Sequence, residues 1–248
     1  MYVDLNVDMG EGFGLYKIAN DEEYMPFITS ANIACGFHAG DPVIMDKTVK
    51  LAVQHNVSIG AHPGFNDKQG FGRREILMSN LELYCDLVYQ IGALQAFVKK
   101  NGGKLHHIKP HGKLYGMAHN NEDIARTICQ VVLDIDDSIY LYCMQKGILN
   151  DVAKHMGIRT VLEVYANLDY DKEGNLIITK EHTERTPEYA VNRVVKILKE
   201  KKVETVEGNE INIEGSSICI HSDTPNSLTL VKLLRQRLEN EKYVLKSP

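Results

Sequence analysis

The chain has no apolar run approaching the ~18 residues of a membrane-spanning helix. Its opening, MYVDLNVDMGEG, has neither the basic start nor the apolar stretch of a secretion signal. The cysteines Cys35, Cys85, Cys129, Cys143 and Cys219 are odd in number and never spaced as CxxC. That pattern argues against a disulfide framework and for reduced thiols in the cytoplasm. Basic clustering is equally scarce. Against a formal charge of −5, the one run is KEKK at 199–202, which reads as the solvated end of a helix. Neither nucleic acid nor membrane is therefore an expected partner. GxSxG is missing, which removes the α/β-hydrolase nucleophile elbow. GxGxxG and the phosphate-loop pattern are missing too, so no nucleotide cradle is legible. No linker, repeat or low-complexity stretch divides the chain.

What remains is a soluble α/β pattern in which strands and helices alternate. Tyr2–Met9 alternates and ends in a Gly-rich turn, and Ala31–Cys35 reads as a buried strand. Pro42–His55 follows as a helix, with Asp41 as N-cap and Pro42 in its first turn. Val57–Ala61 is a strand. Ser79 caps a long helix, Asn80–Lys100, that stops at Asn101-Gly102-Gly103. Strands over Leu105–Lys109, Ile139–Cys143, Thr160–Val164 and Ser217–Ile220 alternate with helices over Glu122–Leu133, Gly147–His155 and Asn226–Glu239. About seven βα units predict a single (β/α) barrel of seven or eight strands over residues 1–248. An open doubly wound sheet is the competing architecture. Residues 167–215 break the rhythm, with a turn at Glu173-Gly174-Asn175, a helix over Pro187–Lys201 and a hairpin at Gly208-Asn209.

If those strands are parallel, their C-terminal ends share one face, and titratable residues gather there. Asp8 and Glu11 follow the first strand in DMGEGFG, His38 the second, and His62 the third. Lys109 and His111 sit two apart in HIKPHGKLYG, which would put both on one face of the fourth strand. His106 and His107 are weaker candidates, one of them facing a helix. His221 and Asp223 close the rim in HSDTP. Asp8, His38 and His62 could hold a divalent metal with open positions, or serve as acid and base without one. Lys109 would stabilise developing negative charge while His111 shuttles protons. Asn32 interrupts its apolar strand as a substrate-binding candidate. Arg73 or Arg74 in GFGRRE could clamp a carboxylate, or form a surface ion pair. Cys35 has no Cys-His-Asn chain order and reads as inert packing.

DLNVDMGEGFG, SANIACGFHAGDP, IGAHPGFNDKQGFGRRE, YQIGALQAF, KPHGKLYGMA and HSDTP, in this order, resemble the LamB/YcsF family, most densely over 4–117. The resemblance implies a glycoside hydrolase/deacetylase-like barrel. It also implies hydrolysis of 5-oxo-L-proline to L-glutamate coupled to ATP hydrolysis, in concert with separate B and C subunits that could bind most of the ATP. On that reading Asp8 or Glu11 activates water, with His38 and His62 alongside. Lys109 and His111 then serve the oxyanion or the ring nitrogen, and Arg73 or Arg74 the substrate carboxylate.

The chain departs from the family pattern at Val7, where Cys is common, and at Ser222, where Gly is usual. EVYANL stands for EVFADR, so Asn167 and Leu168 replace an acidic and a basic residue, and ITKEHTERTPEY lacks its usual form. Two other functions therefore stay open: a stand-alone metal-dependent amidohydrolase or deacetylase, and a non-catalytic paralogue. A homo-oligomer is compatible with all three.

Overall fold

A computed structural model of the chain describes residues 2–177 and 186–248. Residues 178–185, which hold most of ITKEHTERTPEY, lie outside the described residues. The first half runs β1 (Tyr2–Met9), α1 (Asp21–Tyr24), β2 (Ser30–Ala34), α2 (Pro42–Gln54), β3 (Ser58–His62), α3 (Asn80–Lys100), β4 (Leu105–Ile108) and α4 (Gly112–Asn120). The second half runs α5 (Glu122–Asp136), β5 (Tyr140–Met144), α6 (Ile148–His155), β6 (Thr160–Tyr165), β7 (Asp169–Tyr170), β8 (Leu176–Ile177) and α7 (Pro187–Glu200). It ends with β9 (Lys202–Glu204), β10 (Glu210–Asn212), β11 (Ser217–Ile220), α8 (Ser227–Asn240) and β12 (Val244–Leu245).

Strands β1 to β6 pair in chain order and in parallel, and β11 joins β6 to β1. The β11–β1 pairing closes a seven-stranded barrel and excludes the open sheet. The predicted caps are in place. Asp41 accepts from the Val43 and Ile44 amides, and Ser79 and Glu82 form a reciprocal capping box. The irregular stretch resolves into two antiparallel hairpins, β7–β8 and β9–β10, either side of α7. Three elements go beyond the sequence reading, the one-turn helix α1 among them. Helix α4 has two glycines and an N-cap, His111, that makes no side-chain cap bond, so it carries no start signal. Strand β12 is two residues long and pairs in parallel with Tyr2 and Val3. Among the described residues, no helix is long and apolar enough to cross a membrane.

The barrel is apolar outside and polar inside. Along β1, Val3, Leu5, Val7 and Met9 alternate with Asp4, Asn6 and Asp8, yet every one of them is buried. In a strand, alternate residues take opposite faces, so the polar set shares the lumen while the apolar set meets the helices. Burying polar groups is costly unless each finds a partner. At the base of the lumen, Asp4 accepts hydrogen bonds from Thr29 (2.6 Å), Ser30 (2.7 Å), Tyr142 (2.8 Å) and Ser217. One level up, Asn32 Nδ2 donates to Asn6 Oδ1 and to Asp8 Oδ1, both at 2.7 Å. This ladder of satisfied polar groups leads upward to the rim.

Candidate active site

Asp8, at the top of β1, is the hub of the rim. Its Oδ1 accepts from Asn32 at 2.7 Å and from the Lys109 ammonium at 2.9 Å. Its Oδ2 faces His62 Nε2 at 3.4 Å and His221 Nε2 at 3.7 Å. Burial alone would raise this carboxyl. The neighbouring His62, the Lys109 ammonium and His221 outweigh it and hold Asp8 well below the usual carboxylate range. Lys109 is buried as well, and Glu163 Oε2 lies 3.7 Å away on its other side. Burial would lower its ammonium, but Asp8, Cys219 and Glu163 hold it well above the ordinary lysine value. A fixed positive charge therefore stands at the floor of the rim.

Beside that pair lies an imidazole cluster. His38 Nε2 is 3.2 Å from Glu11 Oε1, which is 3.6 Å from His111 Nδ1. His111 Nδ1 is in turn 3.0 Å from His62 Nε2. The rings of His38 and His111 stack with centroids 3.6 Å apart, and Phe71 meets both edge-on. Burial, with the neighbouring imidazoles, pushes His38 and His111 well below the usual histidine value. Glu11 is driven up, first by burial and then by Asp8 and Asp223.

Beside Lys109 lies a small cavity of about 30 Å³, lined among others by Asp8, Arg73, Tyr115, Tyr165, Leu168 and His221. A roomier cavity opens at the opposite end of the barrel, around Ser58, Lys104, His106 and Arg159, and of the sequence candidates it holds only the weaker His106. Arg73 bonds Asp223 at 2.6 Å on the first cavity's edge. His221 stacks on Tyr165, and burial lowers its imidazole to about 4.

Several sequence expectations need correction. Arg74 is half exposed and bound to Asp67, so it is the surface ion pair rather than the clamp. Asn32 is fully buried and its amide is committed to Asn6, Asp8 and His107, leaving nothing to offer a substrate. His111 is not on the fourth strand; β4 ends at Ile108, and His111 is the residue before α4. The residue that shares the lumen face with Lys109 is His107, bonded to Asn32 Oδ1 at 2.7 Å and stacked on Tyr142. Cys35 is buried, and burial pushes its thiol up to about 12, which agrees with inert packing. The predicted metal trio is split as well. His38 and His62 group with Glu11 and His111, whereas Asp8 groups with Cys219 and His221.

Glu163, Tyr115 and Tyr165 at the site were missed by sequence reading. A lone acid inside the apolar strand TVLEVY was the available signal for Glu163. The departures are accommodated locally. Ser222 donates to the Asp8 carbonyl at 2.8 Å, Asn167 donates to Thr224 Oγ1 at 2.6 Å, and Leu168 lines the cavity.

The LamB/YcsF family model matches residues 3–248. The chain belongs to the LamB/YcsF family. A curated relative, the A subunit of 5-oxoprolinase from Staphylococcus carnosus (strain TM300), is 47% identical, and the match covers 97% of this chain and 96% of that protein. The crystal structure of a lactam utilization protein from Thermus thermophilus is 39% identical and superposes with a TM-score of 0.93 over 100% of both chains. The catalytic domain of a peptidoglycan N-acetylglucosamine deacetylase from Eubacterium rectale ATCC 33656 shares the fold alone, at 11% identity and a TM-score of 0.51 over 100% of this chain and 88% of that one. This LamB/YcsF chain thus has the deacetylase-like barrel that the resemblance implied.

Proposed function

We propose that this chain is the A subunit of a cytoplasmic 5-oxoprolinase and opens the lactam of 5-oxo-L-proline to L-glutamate. The near full-length likeness to the staphylococcal 5-oxoprolinase protein carries this reading. A five-membered lactam is a poor electrophile, so ATP is the expected co-reactant: phosphorylation of the amide oxygen activates the ring carbon, water adds, the ring nitrogen leaves, and hydrolysis of the resulting acyl phosphate releases L-glutamate and phosphate. Arg73, on the cavity edge, is the partner for the substrate carboxylate, which would take the place of Asp223. Lys109 offers fixed positive charge where an oxyanion develops as water adds. Asp8, held ionised, orients that water. His221, kept neutral by burial, accepts its proton and returns it to the departing ring nitrogen.

Partner subunits B and C complete the assembly in this reading, and they bind most of the ATP, since the chain has no phosphate-loop motif. Loop residues Leu15 and Tyr16, four and five positions after Glu11, are 97% and 77% exposed, and Val43 is exposed as well. Exposed apolar groups on the loop that follows β1 support a docked partner that hands over activated substrate. The test is ATP-dependent glutamate release from 5-oxoproline by this chain alone and with B and C. Turnover confined to the full mixture is expected. The imidazole cluster favours a second reading, a stand-alone metal-dependent amidohydrolase, and ATP-independent release by this chain alone would establish it.

A further inference from the structure

Helix α3 buries one face and leaves the other bare. Leu83, Leu87, Ile91, Leu94 and Val98 are buried against the barrel. On the other side Leu81, Cys85, Tyr89, Gly92 and Ala96 follow one another at steps of four, four, three and four, and all five are exposed. That spacing puts them on one stripe, which at 1.5 Å per residue runs for about 22 Å. Leu81 is 72% exposed and Tyr89 67%, and Leu77, just ahead of the helix, is 83% exposed. Gly92 is the informative member. It sits mid-helix with right-handed backbone, where glycine is a poorer choice than alanine. Packing within the chain does not require it: a Cβ there would meet no atom of the described residues within 4 Å. A missing side chain on a bare helix face admits the close approach of another helix.

The stripe is asymmetric along its length. Its N-terminal half is bulky, with Leu81 and Tyr89, and is flanked by the acids Glu82 and Asp86. Its C-terminal half is small, with Gly92 and Ala96, and ends in Lys99 and Lys100. Reversing a second copy against the first therefore sets bulk on gap and acid on base. With a two-fold axis beside Val88 and Tyr89, Leu81 of each copy faces Ala96 of the other, and Cys85 faces Gly92. We propose that this face binds a second copy of the chain, the two α3 helices packed antiparallel about that axis. Tyr89 also rests on Phe37, with ring centroids 5.6 Å apart, and Phe37 is the residue before His38. The dimer interface thus abuts the loop that carries a rim histidine.

Sedimentation of the untagged full chain tests this. One helix face is a small interface, so a micromolar dimer is expected, at twice 27.9 kDa in samples of about 200 µM and at 27.9 kDa near ~1 µM. Cys85 should react freely with a thiol reagent in the dilute sample and more slowly in the concentrated one. Gly92→Glu fills the gap with a charge and should weaken the dimer at least ~100-fold. Its Tm should hold, because glutamate is a better helix former than glycine. In a Cys85→Ser background, Tyr89→Cys should cross-link across the axis on mild oxidation. Leu81→Cys should not, because its two copies would lie about 22 Å apart along the helices. A wild-type chain that stays monomeric at the higher concentration overturns the proposal, whatever the variants do. So does a dimer that keeps its Kd in Gly92→Glu, or one that cross-links at 81 and not at 89. None of these readouts involves turnover, so they stand apart from the lactam reading.

Discussion

Lys109 Nζ lies 2.9 Å from Asp8 Oδ1, with both side chains buried where the lumen meets the rim. Removing one member of a buried ion pair leaves the other charge uncompensated, at a cost of about 3–5 kcal/mol. Lys109→Met should therefore destabilise the protein by that amount in urea unfolding and abolish ATP-coupled glutamate release. Pairing it with Asp8→Asn should restore part of the stability and none of the turnover. Full turnover in the single variant would remove Lys109 from the chemistry.

Gly60, on β3, exists to make room for His107. A Cβ there would fall 2.0 Å from His107 Nε2, inside a ring already stacked on Tyr142. Overpacking of this kind costs roughly 1–3 kcal/mol, so Gly60→Ala should lower Tm by several degrees. Adding His107→Ser should recover most of that loss. A Gly60→Ala protein as stable as wild type would show that the lumen can rearrange.

The strand order and most of the caps were legible because each βα unit carries its own punctuation, as at Asp41-Pro42 and Ser79. The rim was legible as a set, since its titratable residues follow the strands directly. What could not be read was depth and direction. Asp4, Asn6 and Asp8 look like the solvated face of a strand, yet a closed barrel turns that face into a polar lumen. The same closure takes Asn32 and His107 inside and makes them supports. His111 slipped off the strand because α4 begins without a cap signal. Which imidazole meets which carboxylate depends on loop geometry at Phe71 and Gly72, which no spacing encodes.

Cysteine chemistry gives a direct readout of burial. Cys85 is exposed, while Cys35, Cys129, Cys143 and Cys219 are buried. Burial pushes the thiols of Cys35 and Cys129 up to about 12, so at pH 8 only about one in 10⁴ is thiolate, the reactive form. Titration of the native protein with a thiol reagent at that pH should plateau at Cys85 alone, and Cys35→Ala should keep its turnover. Rapid labelling of Cys35 would reopen thiol catalysis.

Asp41 ties helix α2 to the loop that follows the first strand. Its Oδ1 caps Val43 and Ile44, and its Oδ2 accepts from the Gly14 amide at 2.8 Å. Slight burial works against the charged form, but these three amides prevail and hold the carboxyl below its usual value. A depressed folded-state value means the charge contributes stability above the unfolded value near 3.9, and that this contribution fades as pH falls through the folded value. Asp41→Ala should cost about 0.5–2 kcal/mol at pH 7, and the gap to wild type should shrink below pH 4. A gap that stays constant down to pH 2 would mean the charge contributes nothing.

The partner surface can be tested without touching the rim. Leu15 and Tyr16 are exposed and remote from the core, so replacing them should leave folding intact. Leu15→Glu with Tyr16→Ser adds a charge and removes a ring where an apolar partner face would sit, and burying an unpaired charge at an interface is costly. The double variant should keep its Tm. It should elute as free chain when mixed with the B and C subunits, and lose coupled turnover in proportion. If it still co-elutes with them at wild-type affinity, the docking face lies elsewhere, and the exposed apolar residues of α3, Leu81 and Tyr89, become the next positions to change.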